Sequence, residues 1–167
     1  MPALTLQDLL DRAGIDDAIN AYSHALDQRE WRFLEKGFTK DAQITLLDRD
    51  QVLDLDGLVE LLSGNDATRL GGQHLLGNTW YEIDGDTAHT VTETYWTTLQ
   101  TSEEADRYLL IRGTAMYVDD LVRTEDGWRI ARRALALKSV TRDLVPERED
   151  DLENIRHTLT KDSWYKS

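Results

Sequence analysis

Cysteine is absent from the 167-residue chain, which removes disulfides, thiolate metal ligands and cysteine nucleophiles at once. Proline occurs only as Pro2 and Pro146, so no pyrrolidine ring interrupts the backbone between them. Positive charge is scarce: 19 Lys and Arg against 32 Asp and Glu leave a net charge of −13. A field of that sign repels phosphate backbones and anionic lipid, so neither nucleic acid nor a membrane is expected as a partner. No apolar run approaches the roughly 20 residues of a spanning helix, and the first residues lack the charged-then-apolar pattern of an export signal. What is present is 40% apolar and 31% charged residues, material for one core in a chain of one-domain length. The composition predicts a cytoplasmic, acidic single domain.

Residues 5–28 read as helix, with Thr5 as N-cap and Asp8 in the first turn. Ile15, Ala18, Ile19, Tyr22 and Leu26 form its apolar stripe, and Gly14 is a point where the segment divides into two helices. A short helix over 30–37 closes at Gly37 and a strand follows from Ala42 to Leu47. A third helix lies near Leu55–Leu62. The second half changes period. Strands are predicted over Gln73–Ile83, Thr87–Leu99, Arg107–Arg123 and Trp128–Thr141, with turns at Asp84-Gly85 and Asp126-Gly127. Helices followed by a long antiparallel meander give an α+β domain over residues 1–143. A charged tail over 144–167 carries only a weak stripe, Leu152, Ile155 and Leu159.

Four residues contradict their surroundings, and such contradictions mark candidate sites. Asp27 sits in the last turn of the first helix, where the helix dipole disfavours an anion. Two-residue alternation puts His74, Leu76, Asn78 and Trp80 on one strand face. Arg133 shares a face with Arg129, Ala131, Leu135 and Leu137, and a guanidinium among leucines needs an anion or a ligand oxygen. Trp96 ends a face of small residues, Ala88, Thr90, Thr92, Thr94 and then Thr98, that leaves room for a ligand. His89, Glu93 and Tyr95 fall on the opposite, outer face. The histidines His24, His74, His89 and His157 lack ligand spacing, so no metal is expected. There is no phosphate loop, dinucleotide fingerprint or nucleophile elbow, so no cofactor is expected either. The pair Gly71-Gly72 is too short to argue from.

Tyr22 five residues before Asp27, then Glu30-Trp31, Lys40-Asp41-Ala42, Gln73-His74-Leu75-Leu76-Gly77-Asn78, Asp84-Gly85-Asp86-Thr87-Ala88 and Asp126-Gly127-Trp128-Arg129-Ile130-Ala131-Arg132-Arg133 follow one another in an order that resembles the SnoaL-like branch of the NTF2-like superfamily. The resemblance covers about residues 8–141 and implies a cone of curved antiparallel sheet around the N-terminal helices, with an interior pocket. Within the family the chain is similar to the group of bile-acid 7α-dehydratase, scytalone dehydratase and hexachlorocyclohexane dehydrochlorinase. That similarity implies an Asp–His pair at Asp27 and His74, with Tyr22 and Arg133 as further catalytic groups. It places a second His of the scytalone enzyme at Thr98 and its substrate contacts near Leu26, Leu46 and Tyr117, where this chain departs from that enzyme's side chains. Leu46, Thr98 and Tyr117, with Asn78, Trp80 and Trp96, make up the expected pocket lining.

The expected activity is a cofactor-free lyase acting on a small polycyclic or aromatic hydrophobic substrate, with His74 as base. Two alternatives stay open: a cofactor-free isomerase or polyketide-type cyclase with the same base, and a ligand-binding module without catalysis. The outward Val91, Tyr95 and Leu99 predict a homo-oligomer, a dimer before a trimer, with the tail packed on a neighbouring subunit.

Overall fold

The computed structural model describes residues 4–46 and 51–148. Helix α1 runs unbroken over Leu6–Gln28. Its start is the Thr5 N-cap read in the sequence, and Asp8 completes it as a reciprocal capping box: Asp8 N–H donates to the Thr5 hydroxyl at 3.2 Å, and Thr5 N–H donates to the Asp8 carboxylate at 2.7 Å. Gly14 does not divide it. A Cβ there would stand 2.9 Å from Cδ1 of Trp128, so the glycine lets the helix ride over the indole. Arg29 ends the helix in the left-handed region at φ 57°. Helix α2 covers Arg32–Gly37 and α3 covers Leu55–Gly64, the latter followed by a short 3₁₀ turn over Asn65–Thr68.

The strands are β1 Phe38–Leu46, β2 Val52–Leu53, β3 Arg69–Asp84, β4 Thr87–Thr101, β5 Arg107–Thr124 and β6 Gly127–Pro146. They form one sheet in the order β2-β1-β6-β5-β4-β3. Gly85 and Gly127 hold the positive φ of the two turns read in the sequence, at 60° and 101°. The sheet is not wholly antiparallel: β1 lies parallel to β6. No hairpin links those two strands, so nothing forces the antiparallel sense on them. β6 continues to Pro146, so residues 144–146 extend the sheet. Leu152, Ile155 and Leu159 lie outside the described residues.

The sheet is open, with β2 and β3 at its edges, and α1 packs against both β6 and β3. Those strands stand three places apart, so the sheet must curl around the helix to reach it from both sides. The core between them is built mainly of apolar side chains, with Ile15, Ile19, Leu34, Ile44, Leu58 and Ile130 buried, and also encloses Arg133 and Asp119. Each such side chain contributes about 1.5–3 kcal/mol on leaving water.

One carboxylate locks the helix onto the sheet at its N-terminal half. Asp11 accepts from Arg123 Nη1 at 2.7 Å, Gln7 Nε2 at 2.9 Å and the Trp128 indole N–H at 3.3 Å. The Arg123 hydrogen bond, working against burial, holds the Asp11 carboxyl down at about 2. A carboxyl lowered from 3.8 stabilises the fold fully above that value and loses the contribution as pH falls toward about 2. An Asp11→Asn variant should therefore unfold at lower urea than the parent at neutral pH. Its midpoint should also fall less steeply between pH about 4 and about 2; equal slopes for the two proteins would remove Asp11 from the acid response.

Candidate active site

The last turn of α1 and the first half of β3 bring Asp27 and His74 together. Asp27 Oδ1 lies 2.7 Å from His74 Nδ1, and Oδ2 accepts the backbone N–H of the same residue at 2.7 Å. One carboxylate thus fixes both the ring and the strand that carries it. The two side chains are about nine-tenths buried. Facing a carboxylate, Nδ1 is the nitrogen that donates, so in the neutral ring the lone pair belongs to Nε2. A groove of about 390 Å³ between α1 and β3, walled by Asn20, Ser23, Asp27, His74 and Leu76, reaches the pair. Arg69 Nη2 stands 3.5 Å from Asp27 Oδ1.

Tyr22 lies on the buried stripe of α1. Its ring meets the His74 imidazole edge to face at 6.2 Å, Tyr117 at 5.6 Å and Phe38 at 6.2 Å. Burial raises the Tyr22 phenol, opposed by the nearby charges of Arg133 and Arg69, and the group stays a neutral hydrogen-bond donor. Burial, with Tyr22 beside it, pushes Tyr117 up as well.

Arg133 has found the anion its position demanded. Its Nε donates to Asp119 Oδ1 at 2.7 Å and its Nη2 to Oδ2 at 2.6 Å, a two-pronged pair in which both side chains are fully buried. The guanidinium carbon lies 4.2 Å from the Tyr117 ring centre, 4.9 Å from Tyr22 and 5.2 Å from Phe38. Burial pulls against its charge, and the Asp119 carboxylate outweighs burial. Asp119 was not singled out in the sequence. The signal was its place on the inner face of β5, between Tyr117 and Leu121 and directly across from Arg133 in register.

The remaining lining residues divide. Trp96 is the cross-strand partner of His74 on the inner face, and its ring covers Gly113, where a Cβ would come within 2.8 Å of it. Thr98 follows half-buried on that face. Tyr117 and Leu46 are buried, Leu46 opposite Leu135. Asn78 and Trp80 do not line the interior. The β3–β4 register shifts between Leu76 and Thr79, so two residues of β3 oppose one of β4 and the alternation reverses. Thr79, Tyr81 and Ile83 turn inward, while Asn78 is exposed and Trp80 is 63% exposed on the outer face. A second bulge, at Ala131 of β6, puts Trp128 and Ile130 on the face of Arg133 in place of Arg129 and Ala131. His89, Glu93 and Tyr95 do face outward; His89 Nδ1 meets Asp120 at 2.7 Å and Lys138 meets Glu93 at 2.5 Å. Among the described residues no group of three potential ligands is placed to hold a metal.

Breaking a fully buried ion pair strands one charge in the core, at a cost of about 3–5 kcal/mol. Arg133→Met and Asp119→Leu should each lose stability on that scale in urea titrations, and the double variant should lose less than either. Additive losses would show that the two side chains do not depend on each other.

The profile of the SnoaL-like domain matches residues 7–134. Uncharacterized proteins of Mycobacterium bovis and Mycobacterium tuberculosis are 34% identical over 134 residues, spanning 78% of this chain and 87% of each relative. Among solved structures, a provisionally assigned scytalone dehydratase from Novosphingobium aromaticivorans superposes with TM-score 0.73 at 19% identity, over 86% of this chain and 95% of that one. A hexachlorocyclohexane dehydrochlorinase of type 2 gives 0.70 at 18% identity over 86% and 95%. A Kribbella flavida protein gives 0.70 at 19% over 80% and 94%. At these identities the structural likeness is one of fold, an α+β architecture of N-terminal helices and a curved open sheet. The resemblance expected from the sequence holds: the chain belongs to the SnoaL-like domain family of the NTF2-like superfamily.

Proposed function

We propose that this protein is a cofactor-free lyase that removes a proton from carbon with His74 and expels water or a similar group from a small hydrophobic ring compound. The observation that carries the reading is the double grip of Asp27 on His74, at Nδ1 and at the backbone N–H. With Nδ1 donating to Asp27, Nε2 of the neutral ring is the basic nitrogen, and the carboxylate stands where it stabilises the imidazolium formed when the proton arrives. The electron pair of the broken C–H bond moves into an enolate or alkene. The leaving oxygen takes a proton and departs as water. Tyr22, beside the imidazole and neutral, is the donor for the developing oxyanion or the leaving group. Arg133 takes a changed part. Fully buried and neutralised by Asp119, it acts as a positioning residue that holds the rings of Tyr22 and Tyr117 rather than touching substrate. Substrate would enter by the groove at Asp27 and His74, with Trp96 and Thr98 on the inner face beside His74 and the buried Tyr117 and Leu46 behind them; these apolar and aromatic side chains suit an aromatic or polycyclic compound. Neighbours in the fold described as a dehydratase and a dehydrochlorinase support elimination.

The protein is further proposed to work in the cytoplasm as a homo-oligomer. Trp80, Val91, Val118 and Ala134 form a row across four neighbouring strands on the outer face, where Trp80 stands 63% exposed. A second copy, most simply in two-fold symmetry, would cover it.

Turnover is tested with a panel of ring compounds bearing a hydroxyl or chloride one carbon removed from an acidic C–H, with products weighed by mass spectrometry. Loss of the mass of water or hydrogen chloride marks elimination. An unchanged mass with an altered spectrum marks the isomerase or cyclase reading, and binding without product marks the ligand-binding module. His74→Gln should reduce kcat/KM by about 10²–10⁴-fold and Tyr22→Phe by about 10²-fold without change in the folded spectrum; full activity in His74→Gln contradicts the mechanism. In sedimentation, a mass that is a multiple of 19.2 kDa is expected, with dissociation in Trp80→Glu. A monomer at all concentrations contradicts the oligomer.

A further inference from the structure

We infer that Arg69, in space left by Gly72, is a positioning residue that fixes the Asp27 carboxylate and through it the tautomer of His74. The inference builds on the reading of His74 as a base, but the placement it describes is measurable without any turnover.

Asp27 stands at the end of a helix whose last carbonyls carry partial negative charge, so the carboxylate and the helix dipole oppose each other. Arg69 answers both. Its Nη1 donates to the Leu26 carbonyl at 2.5 Å, and its Nη2 lies 3.5 Å from Asp27 Oδ1. The guanidinium is about nine-tenths buried, so solvent screens little of the attraction. The tie is returned from the other side. Arg29, the left-handed residue that caps α1, donates through Nη2 to the Arg69 carbonyl. Helix end and strand start are thus stitched by two arginines in opposite directions.

Gly72 explains how the guanidinium fits. A Cβ at this position would stand 2.5 Å from Arg69 Nη2, 3.1 Å from its Nε and 2.7 Å from the Thr97 carbonyl of the neighbouring strand. The side chain of Arg69 therefore lies over the glycine's bare Cα on its way to Asp27. Between the two, the β3–β4 register shifts at Arg69/Gly71, which turns the arginine out of the regular alternation and toward the helix. The glycine pair that carries no meaning as a motif has a physical one as a cradle.

Without Arg69, Asp27 would face the helix dipole with only His74 to hold it, beside a groove that offers water. A carboxylate turned toward that groove no longer accepts from Nδ1, and the imidazole loses its reason to keep its proton there.

The experiment is imidazole nitrogen NMR at neutral pH on the full-length 15N-labelled protein, with His74 assigned by the His74→Gln spectrum. In the parent, His74 should show a protonated Nδ1 and a bare Nε2. In Arg69→Met, the pattern should move to a mixture containing the Nε2–H form; Arg69→Lys should keep most of the parent pattern, and Gly72→Ala should imitate Arg69→Met. If Arg69→Met does not fold, Gly72→Ala against Arg69→Lys carries the same contrast. An unchanged His74 pattern in the folded Met and Ala variants overturns the inference. A shifted pattern with undiminished turnover would leave Arg69 in this role and overturn the base reading instead.

Discussion

The grip of the Asp27 carboxylate on His74 is the constraint from which the rest of the site follows. It is a side-chain bond between the last turn of a helix and an edge strand, and it works only if the helix lies at one depth and one rotation across the open sheet. Three acidic residues of α1 set that position in sequence order. Asp11 binds Arg123 and Trp128, Asp16 accepts the Tyr81 hydroxyl at 2.6 Å, and Asp27 binds His74. Gly14, lying against the Trp128 indole, lets the N-terminal half settle close enough for the first of these. A helix shifted by one turn, about 5 Å, would lose all three together. The same ties spread from β6 to β3, so they also hold the curl of a sheet that does not close on itself.

Behind this junction lies an unusual core. A fully buried Arg133–Asp119 pair stands among Tyr22, Tyr117 and Phe38 where aliphatic side chains would pack at less risk. A salt bridge there is a poor source of stability, since both ions leave water. Its two-pronged geometry does give a flat cation a fixed orientation, and three aromatic rings take their places around it. Tyr22 sits between this cation and the His74 imidazole, so the buried pair reaches the proposed base through one ring.

Much of this was legible in the residues. The Thr5–Asp8 cap, the two Asp-Gly turns and the long strands stand where their local chemistry put them. Asp27 and His74 were each out of place alone and are explained by each other. What the sequence concealed were the bulges. Alternation carries a face assignment along a strand until one extra residue reverses it, and nothing in Leu76-Gly77-Asn78-Thr79 says which residue is extra. That one shift sent Trp80 outside and brought Tyr81 in, and the bulge at Ala131 exchanged the neighbours of Arg133 in the same way. The parallel pairing of β1 with β6, the role of Asp119 and the contact of Arg69 with Asp27 are long-range facts that no local period encodes.

In the proposed mechanism His74 takes a proton from carbon. Deuterium wash-in tests it without knowledge of the natural substrate. β-Tetralone, a bicyclic aromatic ketone with acidic C–H bonds beside its carbonyl, is incubated with the protein in D₂O and its mass is followed over time. The parent should exchange these hydrogens faster than buffer at the same pH, and His74→Gln should fall to the buffer rate. Exchange at the buffer rate with the parent, or undiminished exchange with His74→Gln, would contradict it.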